Sequence, residues 1–466
     1  MKIDFGMVSL GINFGDRHQG RGRRQWFLLA VFLLALGLLL SLRAVSPAQA
    51  ATTTITLESA ATVINGCDTL DLFIRINDVT NLYGADVRLT FDPTVLEVTV
   101  IQELNDLLQP PFYIAAKQYD NTAGTAWLAL TQLNPTPEAS GSGNFARITF
   151  RAKAEQIDSP ITISYSKLAD RQGMTIPATA VGGSLTTQAP QSPEATIAQL
   201  NTNTVRISWN AIPGVTNYNI YRDTYAYFTP AIPYQVVTAL TFDDVGVLGN
   251  SATNYFYAVR STCANGFESP SSNHMGEFDY DLASAASLDT FNVIALPLDS
   301  ADSIVPFQAS GLATYIGSGV KQVLRWSPAS QNFNVYRPLT SPPPANFALT
   351  TAQAYVIQVD GTTNPVLTFV NDVPNEGSVT FSFSIGSGSG CALNAISIPL
   401  DRTDLVSASM LATDIGGVDQ VLFWNPATQN YRVYRPGVSP PFANFAIRTG
   451  YPYFVCLNET APLSWP

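Results

Sequence analysis

Leu70-Asp71-Leu72-Phe73-Ile74-Arg75-Ile76, then Asn81-Leu82-Tyr83-Gly84, then Ala85-Asp86-Val87-Arg88-Leu89-Thr90-Phe91 is the stretch whose alternation decides how this chain folds. Leu70, Leu72, Ile74 and Ile76 recur at every second position, as do Ala85, Val87, Leu89 and Phe91 against Asp86, Arg88 and Thr90. Successive side chains of a strand point to opposite faces, so the pattern is that of a sheet with one face buried and one in water. Asp92-Pro93 interrupts the second run, because proline lacks a ladder donor and aspartate bonds the backbone ahead of it. Leu96, Val98 and Val100 then resume the apolar face.

The run from Leu82 to Val98, Leu-Tyr-Gly-Ala-Asp-Val-Arg-Leu-Thr-Phe-Asp-Pro-Thr-Val-Leu-Glu-Val, resembles the early strands of cohesin modules. Gly143-Asn144-Phe145-Ala146-Arg147-Ile148-Thr149-Phe150-Arg151-Ala152-Lys153 is similar to a later strand of the same family, in which a glycine precedes an aliphatic-aromatic pattern. The resemblance covers roughly residues 55 to 186. It implies a jelly-roll β-sandwich that binds a dockerin-type protein module through one sheet face of mixed polarity, or, as in related folds, carbohydrate. It nominates no binding residue, and fold-level analogy alone carries little functional weight.

The whole chain has 466 residues with 31 Pro and 31 Gly, which predicts several domains in place of one core. Residues 1–50 read as a signal peptide or membrane anchor: Arg21, Arg23 and Arg24 precede an apolar run from Trp26 to Leu42, and Ala48-Gln49-Ala50 offers a cleavage site. The run is 17 residues long, close to the lower limit for a spanning helix, so both readings stay open. The rest of the chain keeps 18 of the 24 Lys and Arg and 33 of the 35 Asp and Glu, a net charge of -15. So acidic a surface repels phosphate backbones and argues against nucleic acid, and the membrane is expected only as a contact of an uncleaved N-terminal segment. Outside residues 1–50 the chain has the single histidine His274, in what reads as a linker, which excludes Ser-His-Asp and Cys-His arrangements and histidine-built zinc sites.

After a proline-punctuated linker, Gln188-Ala189-Pro190-Gln191-Ser192-Pro193, a second pattern begins. Val205-Arg206-Ile207-Ser208-Trp209, Tyr218-Asn219-Ile220-Tyr221-Arg222, Thr241-Phe242-Asp243-Asp244 and Tyr255-Phe256-Tyr257-Ala258-Val259-Arg260 follow one another in an order that resembles a fibronectin type III domain over residues 194–275. That resemblance implies an immunoglobulin-like sandwich acting as a spacer, with Trp209 and Tyr257 in its core.

The last 180 residues or so repeat themselves. Ala295-Leu296-Pro297-Leu298-Asp299 returns as Ser397-Ile398-Pro399-Leu400-Asp401, Val323-Leu324-Arg325-Trp326 as Val421-Leu422-Phe423-Trp424, and Asn334-Val335-Tyr336-Arg337-Pro338 as Arg432-Val433-Tyr434-Arg435-Pro436. The offset falls from 102 to 98 between the first two blocks, which locates a four-residue difference between Asp302 and Gly319. Both copies read as β-rich, the first over 286–385 and the second over 391–466. Val379 to Ile385 alternates as a strand that either copy could own. Trp326, Trp424, Tyr336 and Tyr434 recur between copies and read as core in preference to a sugar-stacking surface.

Cys391 and Cys456 share the second copy, while the first has Asp289 and Gln358 in their places. Joint presence in one copy and joint absence in the other predict a disulfide. Cys67 and Cys263 lie in different modules and read as two unpaired thiols, with a bridge between modules as the alternative. Asp68, Asp71, Asp78, Asp86, Asp92 and Asp170 are possible oxygen ligands for structural calcium but read more simply as turn residues; no cofactor is expected, and no segment has the spacing of an EF-hand loop. Trp127, in Ala126-Trp127-Leu128-Ala129-Leu130, faces away from the core if Ala126 and Leu128 face inward, and is then the best candidate for a ligand contact.

The sequence therefore predicts an all-β multidomain chain: a jelly-roll sandwich over 51–187, an immunoglobulin-like sandwich over 194–275 and two tandem β-rich repeats. It is expected to be non-catalytic, secreted or held at a bacterial cell surface, and to bind a polysaccharide or a protein module there in polysaccharide degradation or adhesion. The competing expectation is a structural envelope protein with no soluble ligand.

Overall fold

The computed structural model describes residues 52–284, 289–361, 365–388 and 390–466, so the leader or anchor read in residues 1–50 lies outside it. The first twelve strands are β1 Thr54–Ser59, β2 Val63–Asn65, β3 Thr69–Leu82, β4 Gly84–Thr90, β5 Leu96–Glu103, β6 Phe112–Asp120, β7 Thr125–Gln132, β8 Ala139–Ala152, β9 Gln156–Ala169, β10 Thr175–Ile176, β11 Thr179–Val181 and β12 Gly183–Gln188. They form two facing sheets, β11-β1-β3-β8-β5 and β2-β12-β9-β4-β7-β6, with β10 added to β9. The alternation of β3 and β4 builds the space between them: Leu72, Ile74 and Ile76 from one sheet meet Val87, Leu89 and Leu128 from the other, all buried. Gly124 closes the β6–β7 turn at φ 67°, where a Cβ would strike the carbonyl oxygen of Phe91.

Seven strands follow: β13 Ala195–Asn201, β14 Thr204–Trp209, β15 Asn217–Asp223, β16 Gln235–Val237, β17 Thr241–Val245, β18 Phe256–Thr262 and β19 Met275–Asp281. The sheet β13-β14-β17 faces the sheet β16-β15-β18-β19, with Trp209 and Tyr257 buried between them. The second sheet does not stop at β19. Val366–Asp372, from the first repeat, pairs along the whole of β19 from Met275–Asp372 to Asp281–Val366. The expected linker around His274 is thus the entry to a continuous strand, and the His274 carbonyl accepts a bond from the Val373 amide.

Each repeat has a four-stranded antiparallel sheet, Thr290–Ala295, Ala354–Val359, Val320–Ser327 and Asn332–Tyr336 in the first, and Ala392–Ser397, Pro452–Leu457, Val418–Asn425 and Asn430–Tyr434 in the second. Each also has one short helix, Ala309–Ile316 or Ala408–Ile415, where the sequence reading had seen only strands. Ala309, Leu312, Ala313 and Ile316 are buried at helical spacing, and Ala408, Leu411, Ala412 and Ile415 repeat them. The alternating strand Val379–Ile385 goes to the second copy: Phe381–Ser382 pairs with Ser464–Trp465, and Phe381, Phe383 and Trp465 complete that copy's core.

The repeated tryptophans correct the expectation of a core role. Trp326 and Trp424 are half-buried and seal the two copies against each other. Trp326 Nε1 donates to the Leu393 carbonyl at 2.6 Å, and Trp424 Nε1 donates to the Phe291 carbonyl at 2.8 Å. Gln331 and Gln429 add the same reciprocal contact, each bonding both the N–H and the C=O of Leu393 or Phe291 as a neighbouring strand would. The repeat is a pseudo-symmetric pair held by its own edge strands.

Residues 53–466 form one compact unit. The reading of Cys67 and Cys263 as unpaired thiols is corrected here: they form a disulfide, as do Cys391 and Cys456. The loop Cys263–Phe267 leaves its own module and packs Cys263 and Phe267 into the core of the first sandwich. Asn265 Nδ2 bonds Glu97 Oε1 at 3.1 Å and the Ala152 carbonyl at 2.8 Å, so the disulfide closes a contact that packing already makes. The proline linker is pinned to the same place, through Ser261 Oγ to the Gln191 carbonyl and Ser192 Oγ to the Pro270 carbonyl.

Candidate functional site: an aromatic and cationic sheet face

The inward residues of β4, Val87 and Leu89, leave Asp86 and Arg88 on the opposite face, and the pairing of four strands sets what lies beside them. Tyr165 on β9, Arg88 on β4, Trp127 on β7 and Gln118 on β6 fall in one row across the sheet. Cross-strand neighbours on one face sit about 5 Å apart, close enough for rings and guanidinium to stack. The Arg88 guanidinium lies 4.2 Å from the Trp127 ring centroid and 4.7 Å from that of Tyr165. Trp127 Nε1 donates to Asp86 Oδ1 at 2.7 Å, while Arg88 Nη2 approaches Asp86 Oδ2 only to 3.4 Å.

Ala126 and Leu128 face the core, as the expectation about Trp127 required. Trp127 itself is half-buried, because Arg88 covers its ring, so its plane is not a bare platform. The sequence reading passed over Arg88 and Tyr165. The spacing Asp86–Arg88 carried half the signal, but the partner two strands away becomes visible only with register.

Two recesses flank the row. One of about 600 Å³ is bounded by Arg88, Gln118, Tyr119, Asn121 and Trp127. The other, about 660 Å³, is bounded by Tyr83, Asp86, Gln132, Lys167 and Arg171, and Arg171 stands 4.9 Å over the Tyr83 ring. Beyond them the edge strand β6 exposes Tyr113 on this face, whereas Ile114 and Tyr119, register partners of the inward Leu130 and Ala126, are exposed at the rim of the other face. A wide face with several exposed aromatics is the composition of a protein-docking surface.

The acids of this face are committed locally. Asp86 is held by Trp127. Asp120 Oδ1 accepts from the Thr122 and Ala123 amides, which hold its pKa below the ordinary value. Asp170 Oδ1 accepts from the Gln172 and Met174 amides. Two of the other aspartates considered for calcium are used in the same way: Asp71 bonds Thr149 Oγ1 and Arg147, and Asp92 is bonded by Thr94, whose hydroxyl and amide lower its pKa. Among the described residues no group of three or more His, Cys, Asp or Glu side chains is arranged to hold a metal ion.

A second cluster of carboxylates lies inside the molecule. Glu277, Asp279 and Asp244 are all buried where β19 meets the loop before β18. Asp279 Oδ2 accepts from the Gly249 and Asn250 amides, Glu277 Oε1 from the Tyr255 amide, and Asp244 Oδ2 from Tyr257 and Arg222. Burial, with Asp279 and then Asp244 nearby, raises the pKa of Glu277 to about 9, so it is protonated at neutral pH. These groups fasten backbone, and none of them lines the two recesses described above.

Residues 53–186 match the family model described as the Cohesin domain. No curated protein matches the chain. Among solved structures, it is similar to the sixth cohesin of scaffoldin B from Acetivibrio cellulolyticus, solved in complex with a Cel5 dockerin mutant, at 18% identity over 29% of this chain and 99% of that one, with a TM-score of 0.25. It is similar to a cohesin module of a family 33 glycoside hydrolase from Clostridium perfringens at 11% identity, over 30% of this chain and 98% of that one, with a TM-score of 0.26. A non-cellulosomal cohesin from Archaeoglobus fulgidus matches at 13% identity, over 30% of this chain and 93% of that one, with a TM-score of 0.24. The segment that bears the aromatic and cationic face, residues 53–186, is therefore a cohesin domain.

Proposed function

We propose that this chain is a non-catalytic recognition protein of the cell exterior, whose cohesin domain docks a dockerin-type protein module on the outer face of the sheet β9-β4-β7-β6. The observation that carries this reading is the row Tyr165–Arg88–Trp127–Gln118, a preassembled aromatic and cationic surface on a cohesin domain with exposed tyrosines around it. Preassembly lowers the entropy cost of association, since the long Arg88 side chain is already held between two rings. The fibronectin-like module and the repeats serve as a stiff stalk that presents this face. Two disulfides suit an oxidising setting outside the cytoplasm, in accord with the N-terminal segment acting as a leader or anchor.

The test is retention of the purified chain on immobilised dockerin-bearing proteins and, separately, on insoluble polysaccharides. Retention on dockerin proteins, abolished by Tyr165→Asp, is the expected result. Retention on polysaccharide alone replaces the protein partner by carbohydrate. Retention on neither supports the second reading, a structural envelope protein, which is favoured by the extent to which the modules are fastened to one another.

A further inference from the structure

We infer that the crevice between the second sandwich and the second repeat is a binding site for a short uncharged oligosaccharide. It lies apart from the cohesin face and does not depend on the docking read there.

Two close approaches build the crevice. The Tyr280 hydroxyl donates to the Gly450 carbonyl at 2.6 Å, and Gly450, at φ 76°, allows the contact because a Cβ there would meet the Phe278 ring at 2.4 Å. Beside it Arg448 Nη2 and the Tyr451 hydroxyl both donate to the Ser251 carbonyl. These bonds fix the two modules side by side, and a space of about 560 Å³ stays open between residues 224–226 and 252–254 of one and residues 400–406 and 447–451 of the other. That size is within the range of small-molecule sites, about 300 to 1,000 Å³, which recur where modules meet. The walls are already held, so binding does not have to order them.

The lining combines two kinds of surface. Tyr225 and Tyr451 are half-buried rings on opposite modules, above the buried Phe256, Phe278 and Leu400. Around them stand neutral polar groups with nothing to bond: the hydroxyls of Thr224, Thr253, Thr403 and Thr449 have no partner among the described residues. Asn254 Oδ1 accepts from the Asp279 amide at 3.1 Å, which fixes that side chain and leaves its amino group unpartnered. Arg448 gives one N–H to Ser251 and holds its guanidinium 4.1 Å from the Tyr451 ring centroid, with its other donors unused.

A sugar ring has C–H groups on its faces and hydroxyls around its edge, which matches aromatic walls bordered by neutral donors and acceptors. A wholly apolar ligand would strip water from the four hydroxyls and return no hydrogen bond. An anionic one would meet the carboxylates of Asp223, beside Thr224, and of Asp281, bonded by Ser251, against the single cation Arg448. The internal repeat supplies a separate observation. Arg448 and Tyr451 stand where the first copy has Thr350 and Gln353, so the ring and the cation occur only in the copy that faces this crevice.

The test is calorimetric titration of the purified full chain with cellotriose, xylotriose, mannotriose and the acidic trimer of galacturonic acid. Saturable binding of at least one of the three neutral sugars, and none of the acidic trimer, is expected. Tyr225→Ala should weaken it about tenfold, the value of one lost aromatic wall. Should that variant fail to fold, Thr403→Trp, at an exposed position, fills the mouth and is expected to abolish binding. Binding of the acidic trimer alone, binding of no sugar, or binding indifferent to both variants overturns the inference. Tyr165→Asp, on the cohesin face, separates the two sites: sugar binding that survives it while dockerin retention is lost keeps both readings, and sugar binding that disappears with it moves the sugar to the cohesin face and removes the crevice as its site.

Discussion

The two C-terminal repeats have one sequence pattern and two different anchorages. The first copy closes with Val366–Asp372 laid along β19, so its last strand is also the last strand of the neighbouring sandwich. The second copy closes with the two-residue pair of Phe381–Ser382 and Ser464–Trp465 and has the Cys391–Cys456 disulfide. Where the second copy has that bond, the first has only a 3.5 Å contact between Gln358 and Asp289. The comparison teaches that the same fold can be held by a neighbour or by a covalent closure, and that the copy lacking the larger sheet is the one that has the cross-link.

The largest effect is expected from removing that cross-link. Cys391→Ser with Cys456→Ser should destabilise the second copy by about 4 kcal/mol, the loop-entropy value for its span. Asp289→Ala in the first copy should cost less than about 0.5 kcal/mol. Hydrogen exchange in Pro452–Leu457 against Ala354–Val359 measures both, and equal losses would break the contrast.

The next concerns pH, which should act at β19, where the first copy is fastened to the neighbouring sandwich. Glu277 titrates near 9 in the folded chain against 4.5 when unfolded, so the folded state holds its proton more tightly. Stability from this group is therefore greatest below pH 4.5 and falls as pH rises toward 9, by about 3 kcal/mol between pH 4.5 and 7. Glu277→Gln should flatten that slope in urea titrations run across this range. The corresponding place in the second copy is occupied by Ser378, which has nothing to titrate.

Smaller and symmetric losses are expected at the seam. Trp326→Ala and Trp424→Ala should each cost about 2 kcal/mol in chemical unfolding, through lost packing and the loss of one of the two hydrogen bonds to the facing carbonyl. A twofold or greater disparity between them would show that the pair is not energetically symmetric. The smallest change is Tyr280→Phe, which removes the bond from Tyr280 to the Gly450 carbonyl at 2.6 Å, with an expected cost of about 1 kcal/mol in the same measurement.

Much of this architecture was legible in the residues. Period-two alternation in β3 and β4 predicted two half-buried strands, because burial of one face leaves a mark at every second position. The internal repeat was visible for a related reason: the same core, built twice, needs the same residues twice. What was hidden depends on partners distant in sequence. The segment at His274 reads as a linker, and the partners that make the burial of Glu277 and Asp279 acceptable, the amides of Gly249, Asn250 and Tyr255 and the Thr368 hydroxyl, are distant in sequence. The helices escaped notice because eight residues span little more than two turns and give a weak period. Trp326 and Trp424 read as core residues, since a tryptophan that seals an interface has the same flanking sequence as one in a core. On the outer face, Trp127 was nominated by its position opposite Ala126 and Leu128, whereas Arg88 and Tyr165 needed strand register to be seen as its neighbours.

The bond from Cys67 to Cys263 changes the route by which tension travels. A pull exerted on the outer face of the first sandwich can enter the second module through that sulfur bridge and through Asn265, besides the backbone of residues 188–194. The covalent path is shortened across a sequence separation of 196, and the proline segment, bonded at Gln191 and Ser192, runs alongside it. From there the load passes sideways, by shear, along the seven paired positions of Met275–Asp281 and Val366–Asp372. A tether wired in this way gives way last at its joints, and a reductant would move the weakest link to the place where the eye first looks for a hinge.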